Sequence, residues 1–390
     1  MTTTLSPTDA ARSLRKVTAD EAAACERNRT LTPRSVGALW DSGLMQLFNP
    51  SEAGGSEPSF AEMIDTWIEL AWQDGSLGWV GIANFPSAAA CAAYLPAAGF
   101  DDVFTAHDNR VTVGGQFFPN GTGASVDGGY RISGAWNFGS GTGHAEYVAA
   151  GFMPTVDGEL VVGDDGIPPL LVAVIPRGEI TFTDGWHVQG LKGTGSFDYT
   201  VEDLFVPDSR TFELFTHTPE RGSSPTFRMG LMPITAAGHA SWALGVAKSM
   251  LDDVADLAVT KVRMGDDGAL AHRVTFQKGL SHHTAMWRSA RLLVLDAFAT
   301  AERQVDDEGE LSPTMRADLR VAATYATEAS REIVQWAHLA AGTTAVREGS
   351  RLERAFRDLY TGTQHVFIGE KTYIDAARIR LGLVEDQFGL

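Results

Sequence analysis

Ser140 is the residue in this chain best placed by its neighbours to do chemistry. It stands between Gly139 and Gly141, directly after the aromatic run Trp136-Asn137-Phe138, inside the stretch YRISGAWNFGSGTGHAEY from Tyr130 to Tyr147. A hydroxyl flanked by two residues without a Cβ lets a flat ligand come close to the backbone. Beside aromatic bulk, that combination suits a planar heterocycle such as a flavin ring. The same residues also read as a strand that ends in a Gly-rich turn. Two neighbouring runs share the chemistry. GGQFFPNGTGASVDGG (Gly114 to Gly129) reads as a Gly- and Pro-punctuated loop whose amides could meet the polar edge of a ring. In WHVQGLKGTGSFDYTVEDLFVP, Trp186 precedes Gly193-Thr194-Gly195-Ser196, which offers hydroxyls and close backbone approach.

Two polar groups lie further along. Arg263, in Lys261-Val262-Arg263-Met264-Gly265 ahead of Gln277, suits a phosphate through charge-assisted hydrogen bonds, or an ordinary surface ion pair. His365, in RDLYTGTQHVF, titrates near neutrality when unperturbed and reads either as a general base or as a satisfied, partly buried histidine. Other chemistries lack their signatures. Neither Gly-rich run has the spacing or the strand-to-helix context of a Rossmann or P-loop site. HExxH is absent, and His282 and His283 are adjacent, so on a helix they point about 100° apart; no metal site is expected. No Gly-x-Ser-x-Gly elbow of an α/β-hydrolase is present.

The elements that must position these residues fall into three blocks. Pro7 to about Phe104 is helical, with a first helix capped at Thr8-Asp9 and running through Arg27. A second spans Arg34 to Leu47, a third Phe60 to Trp72, and a buried Ala-rich segment Leu77 to Tyr94. From Val111 to about Pro207 short β-branched and aromatic runs alternate with turn residues, an antiparallel β-domain with a hairpin turn at Asp127-Gly128-Gly129. Four long helices follow, Met229–Leu257, Phe276–Val305, Ser312–Ala341 and Leu352–Ala376, which suggests a bundle. Expected domain limits are 1–110, 111–220 and 221–390.

Composition bounds the function. The 390 residues are 44% hydrophobic, enough for a large core, and carry a formal net charge of −18. That surface repels polyanions, so nucleic acid and anionic membranes are poor partners. No apolar run is long enough to cross a bilayer, and the first residues lack a signal-peptide pattern, so a cytoplasmic location is expected. The two cysteines, Cys25 and Cys91, make no disulfide framework and read as small core residues.

Taken together, these residues resemble the acyl-CoA dehydrogenase superfamily. Its order is an N-terminal helical domain, a central antiparallel β-barrel and a C-terminal four-helix bundle, an α+β, mainly α fold. PSEAGGSE (Pro50 to Glu57) resembles its early Pro-x-x-x-Gly-Gly loop, ISGAWNFGSG its flavin-facing strand, GLKGTGSFDYTVEDLFVP its second barrel signature, and Arg263-Met264-Gly265 with Gln277 its pyrophosphate-binding pair. The chain is most similar to the oxygenase components of two-component flavin-dependent monooxygenases. LYTGTQHVF carries no carboxylate where the dehydrogenases have their catalytic Glu, and RDL…TQH and WNFGSG match the monooxygenase wording.

The resemblance implies a set of roles. A separate NAD(P)H:flavin reductase supplies FMNH2 or FADH2, and with O2 a flavin C4a-hydroperoxide oxygenates a small aromatic or apolar molecule. Catalytic roles fall to Ser140, near flavin N5, and to His365, near C4a. Trp186 and Ser196 flank the ring and ribityl chain, with Phe138 beside them. Gln116 and Phe117 lie at the pyrimidine edge. Arg263 and Gln277 bind phosphate from a neighbouring subunit, since the family is usually a homotetramer. Substrate contacts are expected from Trp79, Asn84, Ser87 and Phe118, and Trp79, Phe85, Phe117, Phe118 and Phe138 are the expected apolar lining. The segment Trp79 to Ser87 lacks the histidine that several such monooxygenases carry there. Two other readings stay open: an acyl-CoA dehydrogenase with a displaced base, for which Glu370 is poorly spaced, and a flavin-binding subunit without activity.

Overall fold

The structure, a computed structural model, describes residues 5–163, 166–387 and 389. The first helices follow local capping. Ser6, rather than Thr8-Asp9, caps α1 (Pro7–Ser13) by accepting from the Asp9 amide, and the chain breaks at Leu14 before α2 (Arg15–Asn28), so the single expected helix is two. The helix expected to reach Leu47 stops earlier: α3 (Pro33–Asp41) gives way at Gly43, φ 77°, to a 3-10 turn. A Ser59–Glu62 capping box opens α4 (Phe60–Gln73), which buries Phe60, Met63, Ile64, Trp67 and Leu70 on one helical stripe. Asp74 then caps α5 (Gly75–Tyr94) through the Ser76 and Leu77 amides, and α5 is buried nearly throughout. A short α6 (Ala97–Val103) leads to the sheet.

The strands are β1 (Val113–Val126), β2 (Gly129–Gly139), β3 (Tyr147–Val156), β4 (Glu159–Leu160), β5 (Leu171–Pro176), β6 (Thr181–Thr183), β7 (Phe197–Pro207) and β8 (Thr211–Glu213). Their order is β6-β7-β2-β1-β3-β5-β8, with β4 paired to β3. Val126 pairs with Gly129, so Asp127-Gly128 is the expected tight turn, with Gly128 at φ 74°. Two expectations are corrected. The Gly114–Gly129 run is mostly strand, because register shifts between Gln116 and Gly121 accommodate Pro119 without a ladder amide. The sheet is mixed rather than antiparallel. The turn after β2 carries the chain across to the far side of β1, so β3 runs parallel to β1. One face of the sheet buries Ile132, Trp136, Phe152 and Tyr199, with Trp136 stacked on Tyr199 at 5.3 Å.

The C-terminal helices are α7 (Pro225–Met229), α8 (Leu231–Thr260), α9 (Val274–Glu308), α10 (Pro313–Ala341), α11 (Arg351–Gly362) and α12 (Glu370–Arg380). α8 is the spine, packed against α4, α5, α9, α10 and α11. The last expected helix, Leu352 to Ala376, is two helices with a turn between them. The break lies between Gly362 and Gly369, and Arg320 of α10 holds the turn. Its guanidinium donates to the Phe367 carbonyl at 2.8 Å and lies 3.5 Å over the Phe367 ring, which holds the chain out of helical geometry. Both cysteines are buried and free, and among the described residues no helix is long and apolar enough to cross a membrane.

Candidate active site

Three segments converge on Ser140, α5, the end of β2 and the Trp186–Ser196 segment, and the α11–α12 turn reaches the group through Trp79. Ser140 lies just beyond β2, and its carbonyl accepts from the Gly115 amide, which ties the turn back to β1. Gly141, at φ 75°, sits against α5 so closely that a Cβ would fall 2.1 Å from the Asn84 carboxamide. That approach brings the α5 side chains to the hydroxyl.

The hydroxyls around Ser140 form one directed chain. Thr194 Oγ1 donates its single proton to the Leu191 carbonyl at 2.9 Å. In the 2.7 Å contact between Thr194 and Ser196, Ser196 is therefore the donor. Ser196 has no second proton, so Ser140 donates to it across 3.0 Å. Trp79 Nε1–H in turn donates to Ser140 Oγ at 3.1 Å. Ser140 keeps one lone pair unused, aligned by a buried indole on one side and a buried serine on the other.

The far end of this chain is anchored below. Leu191 adopts φ 56°, a left-handed conformation a branched side chain rarely takes, and its carbonyl also accepts from Trp186 Nε1 at 3.1 Å. The Leu191 amide donates to Asp358 Oδ1 at 2.6 Å. Asp358 is buried; burial first and the nearby Asp74 charge second raise its pKa well above the usual carboxylate range. Its neutral form leaves no uncompensated charge beneath the site.

His365 sits in the α11–α12 turn, not in a helix. Its ring meets Trp79 edge-on at 5.9 Å and lies 4.3 Å from His239 of α8. Although one side of the residue is open, desolvation by these neighbours, with the Arg320 charge second, lowers its pKa to about 4. The imidazole is neutral at physiological pH. The Phe367 amide donates to Nδ1 at 3.2 Å, which puts the ring proton on Nε2. So His365 offers an N–H donor, while its basic nitrogen is already occupied.

His239 was not legible as a site residue. It is a lone histidine in the apolar ITAAGHASWALG run, where core packing is the ordinary reading. In the structure it is buried, 5.3 Å from Trp79 and stacked on Phe367, and burial, then His365 and Arg320, hold its pKa well below the usual value. Asp358, in Arg357-Asp358-Leu359, likewise carries no signal in the sequence of its place beneath the site.

The other expected residues divide. Trp186 and Phe138 meet edge-on at 6.1 Å, beside the Ser196 chain; Phe138 is 63% exposed and at φ 59°, so it stands at the open rim. Asn84 donates to the Val113 carbonyl at 2.7 Å, while its buried Oδ1 has no partner. Ser87 is half-buried further along α5 and makes no hydrogen bond to the group among the described residues. The Gln116 amide is taken by the Tyr199 hydroxyl at 2.9 Å, and the Phe117 ring turns to Phe212 in the core. Phe118 is exposed, and Phe85 packs on Phe48. Arg263 and Gln277 cap backbone carbonyls, Ala340 at 2.6 Å and Ala271 at 2.9 Å, without touching the Ser140 group of their own chain. A cavity of about 710 Å3 opens elsewhere, between the Ser51–Ser59 loop and Glu302, Arg303 and Asp306 of α9. His282 and His283, expected to point apart, each bring a ring nitrogen within 4.8 Å of a Glu332 oxygen and of each other.

Comparison with known proteins places this arrangement. Residues 237–370 match the acyl-CoA dehydrogenase C-terminal domain. XiaF from Streptomyces sp., solved in complex with FADH2 and glycerol, superposes with a TM-score of 0.89 over 98% of this chain and 97% of its own, at 24% identity. The fold is thus of the acyl-CoA dehydrogenase class. The chain is 30% identical over 384 residues to the flavin-dependent monooxygenase oxygenase subunit HsaA of Mycobacterium tuberculosis, covering 93% of this chain and 92% of that one. It is 29% identical over 365 residues to an indole-3-acetate monooxygenase of Pseudomonas putida, covering 92% and 89%. The chain belongs to the oxygenase components of two-component flavin-dependent monooxygenases.

Proposed function

We propose that this enzyme takes reduced flavin, FMNH2 or FADH2, from a separate NAD(P)H:flavin reductase and uses O2 to place one oxygen atom on a small aromatic molecule. The directed hydroxyl chain ending on Ser140 is the observation that carries the reading. A reduced isoalloxazine bears an N–H at N5, and Ser140 Oγ retains the lone pair such a group needs. The exposed Phe138, the buried Trp186 and Trp79 supply flat apolar surface beside it. The residues present therefore fit the cofactor.

Bound reduced flavin would supply the two electrons that activate O2; O2 itself would give the transferred atom, its other atom leaving as water. The chain's part is to hold protons where they are wanted. Ser140 accepts from the cofactor edge while its own proton stays on Ser196. Neutral His365 presents Nε2–H without lending a proton to solvent. Trp79, Trp242 and His239 pack together behind them and exclude water from that side. The substrate class rests on this aromatic surround and on the name of the indole-3-acetate relative.

We also propose the three segments 1–110, 111–220 and 221–390 as domains, a closed barrel and bundle arrangement of the last two, and a cytoplasmic homotetramer in which Arg263 and Gln277 reach a neighbour's flavin phosphate. Exposed Val274, Leu292, Leu339 and Val346 along α9, α10 and the turn beyond support the assembly. The dehydrogenase alternative loses its base, since Glu370 is exposed at the start of α12 and touches neither Ser140 nor His365.

Rapid mixing of the protein with reduced flavin and oxygen, with and without aromatic acids and phenols, tests the reading. A long-lived oxygenated flavin absorbance and an oxygenated product are expected. Oxygen consumption no faster than that of free reduced flavin, with no product from any aromatic, would overturn it.

A further inference from the structure

Outside the flavin site, one cluster carries transition-metal chemistry. His282 and His283 on α9 and Glu332 on α10 place one ligand atom each within 4.8 Å of one another. His283 is prepared for the role in two ways. Its Nδ1 lies 2.7 Å from the Gly279 carbonyl, which can only accept, so the proton is on Nδ1 and the Nε2 lone pair is left for a ligand. A metal-bound histidine typically has its other ring N–H held by a carbonyl or carboxylate in this way. The ring is also buried and stacked on Trp336 at 4.6 Å and 15°, so its direction is fixed.

The local sequence makes room for this geometry. At Gly279 a Cβ would fall 2.5 Å from Trp336 Nε1, so only glycine lets the indole lie across α9 and carry His283 with it. His282 and Glu332 are exposed and can swing inward at little cost. Two imidazoles and a carboxylate form the donor set that suits Zn2+, with a fourth position left to water. The cluster is one to two turns along α9 from Gln277, and α10 ends at the carbonyls that Arg263 holds.

We propose that His282, His283 and Glu332 form a Zn2+-type site that clamps α9 to α10. Metal there ties the helix carrying Gln277 to the helix whose end receives Arg263, and so stiffens the end of the bundle that presents both. The site is independent of the oxygenase reading, because metal binding is read on protein without flavin.

Metal-free, untagged protein titrated with Co2+ tests it. One equivalent per chain is expected to bind with the intense visible bands of a four- or five-coordinate ion, and Zn2+ is expected to displace it and raise the melting temperature. Outer-shell partners alone are worth about 10- to 100-fold in metal affinity, so His282→Ala and Glu332→Gln, which remove ligands, are expected to cost at least that. Both positions are exposed, so both variants should fold; circular dichroism verifies this. Binding weaker than millimolar in the wild type, or a stoichiometric site that survives both substitutions, overturns the assignment.

Discussion

The indole of Trp79 donates to the hydroxyl of Ser140 at 3.1 Å, and this bond closes the proton order that the Leu191 carbonyl sets at the other end. Trp79 also faces His365 and His239, so one side chain couples the hydroxyl end of the site to its imidazole end. Trp79→Phe keeps the ring and removes the donor. A neutral hydrogen bond is worth about 0.5–1.5 kcal/mol, so coupling of oxygen to product is expected to fall roughly two- to tenfold, with hydrogen peroxide making up the difference. Peroxide and product measured side by side decide it; an unchanged ratio removes Trp79 from the proton order.

Ser140→Ala deletes the group proposed to face the cofactor, whereas Ser196→Ala only frees the Ser140 proton to choose another partner. Peroxide release should dominate in the first variant and rise modestly in the second. Equal losses in both would mean that the chain acts through shape, not through direction.

His365 should stay neutral as pH falls to about 4. Its folded pKa lies below its unfolded value, so the stability it contributes is present above the ordinary histidine range and is lost as pH drops from there through about 4. Nitrogen-15 spectra of histidine-labelled protein at pH 7 are expected to show its Nε2–H tautomer, and to show no protonation by pH 5.5. An imidazolium signal at that pH would contradict the donor role.

Asp358 separates charge from acceptor. Asp358→Asn retains an oxygen for the Leu191 amide and cannot ionise; Asp358→Ala strands that buried amide at a cost of about 1–3 kcal/mol. Because the folded pKa is raised, wild-type stability attributable to Asp358 is fully present at low pH and declines as pH rises above the ordinary aspartate range. Melting curves across pH should therefore be flatter in the Asn variant on the alkaline side, with product coupling preserved. Coupling lost equally in the Asn and Ala variants would assign the role to charge.

Arg320 tests the turn. It is buried, and desolvation lowers its pKa to about 10, yet it still carries charge at neutral pH. Arg320→Met removes the bond to the Phe367 carbonyl, so the Phe367 amide should exchange faster with solvent and His365 should lose its single orientation. Protection of that amide equal to wild type would show that packing alone shapes the turn.

Much of this was readable beforehand because it depends on local rules. The α4 stripe and the Asp127-Gly128 turn follow from periodicity and backbone freedom, whereas the first helix is capped by Ser6 and not by the expected Thr8-Asp9. Ser140, Ser196, Trp186, Trp79 and His365 were readable through their motifs, and the structure gathers them. What escaped depends on tertiary contact. Nothing in the alternation of β1 and β2 tells which side of β1 will receive β3. The Leu352–Ala376 run has helical spacing, yet it breaks between Gly362 and Gly369, where Arg320, distant in sequence, holds Phe367. His239 and Asp358 look like core residues until their neighbours are known. His282 and His283 do diverge about the helix axis, but reach, not direction, brings them to Glu332.

The break between α11 and α12 leaves the imidazole of His365 riding on seven residues of coil pinned from a neighbouring helix. A change of reactivity in this scaffold need not disturb any long helix: lengthening, shortening or re-anchoring that coil re-aims one N–H vector while the surrounding architecture stays as it is. Directed evolution toward bulkier ring systems should accordingly find its productive insertions there, ahead of substitutions in the aromatic walls.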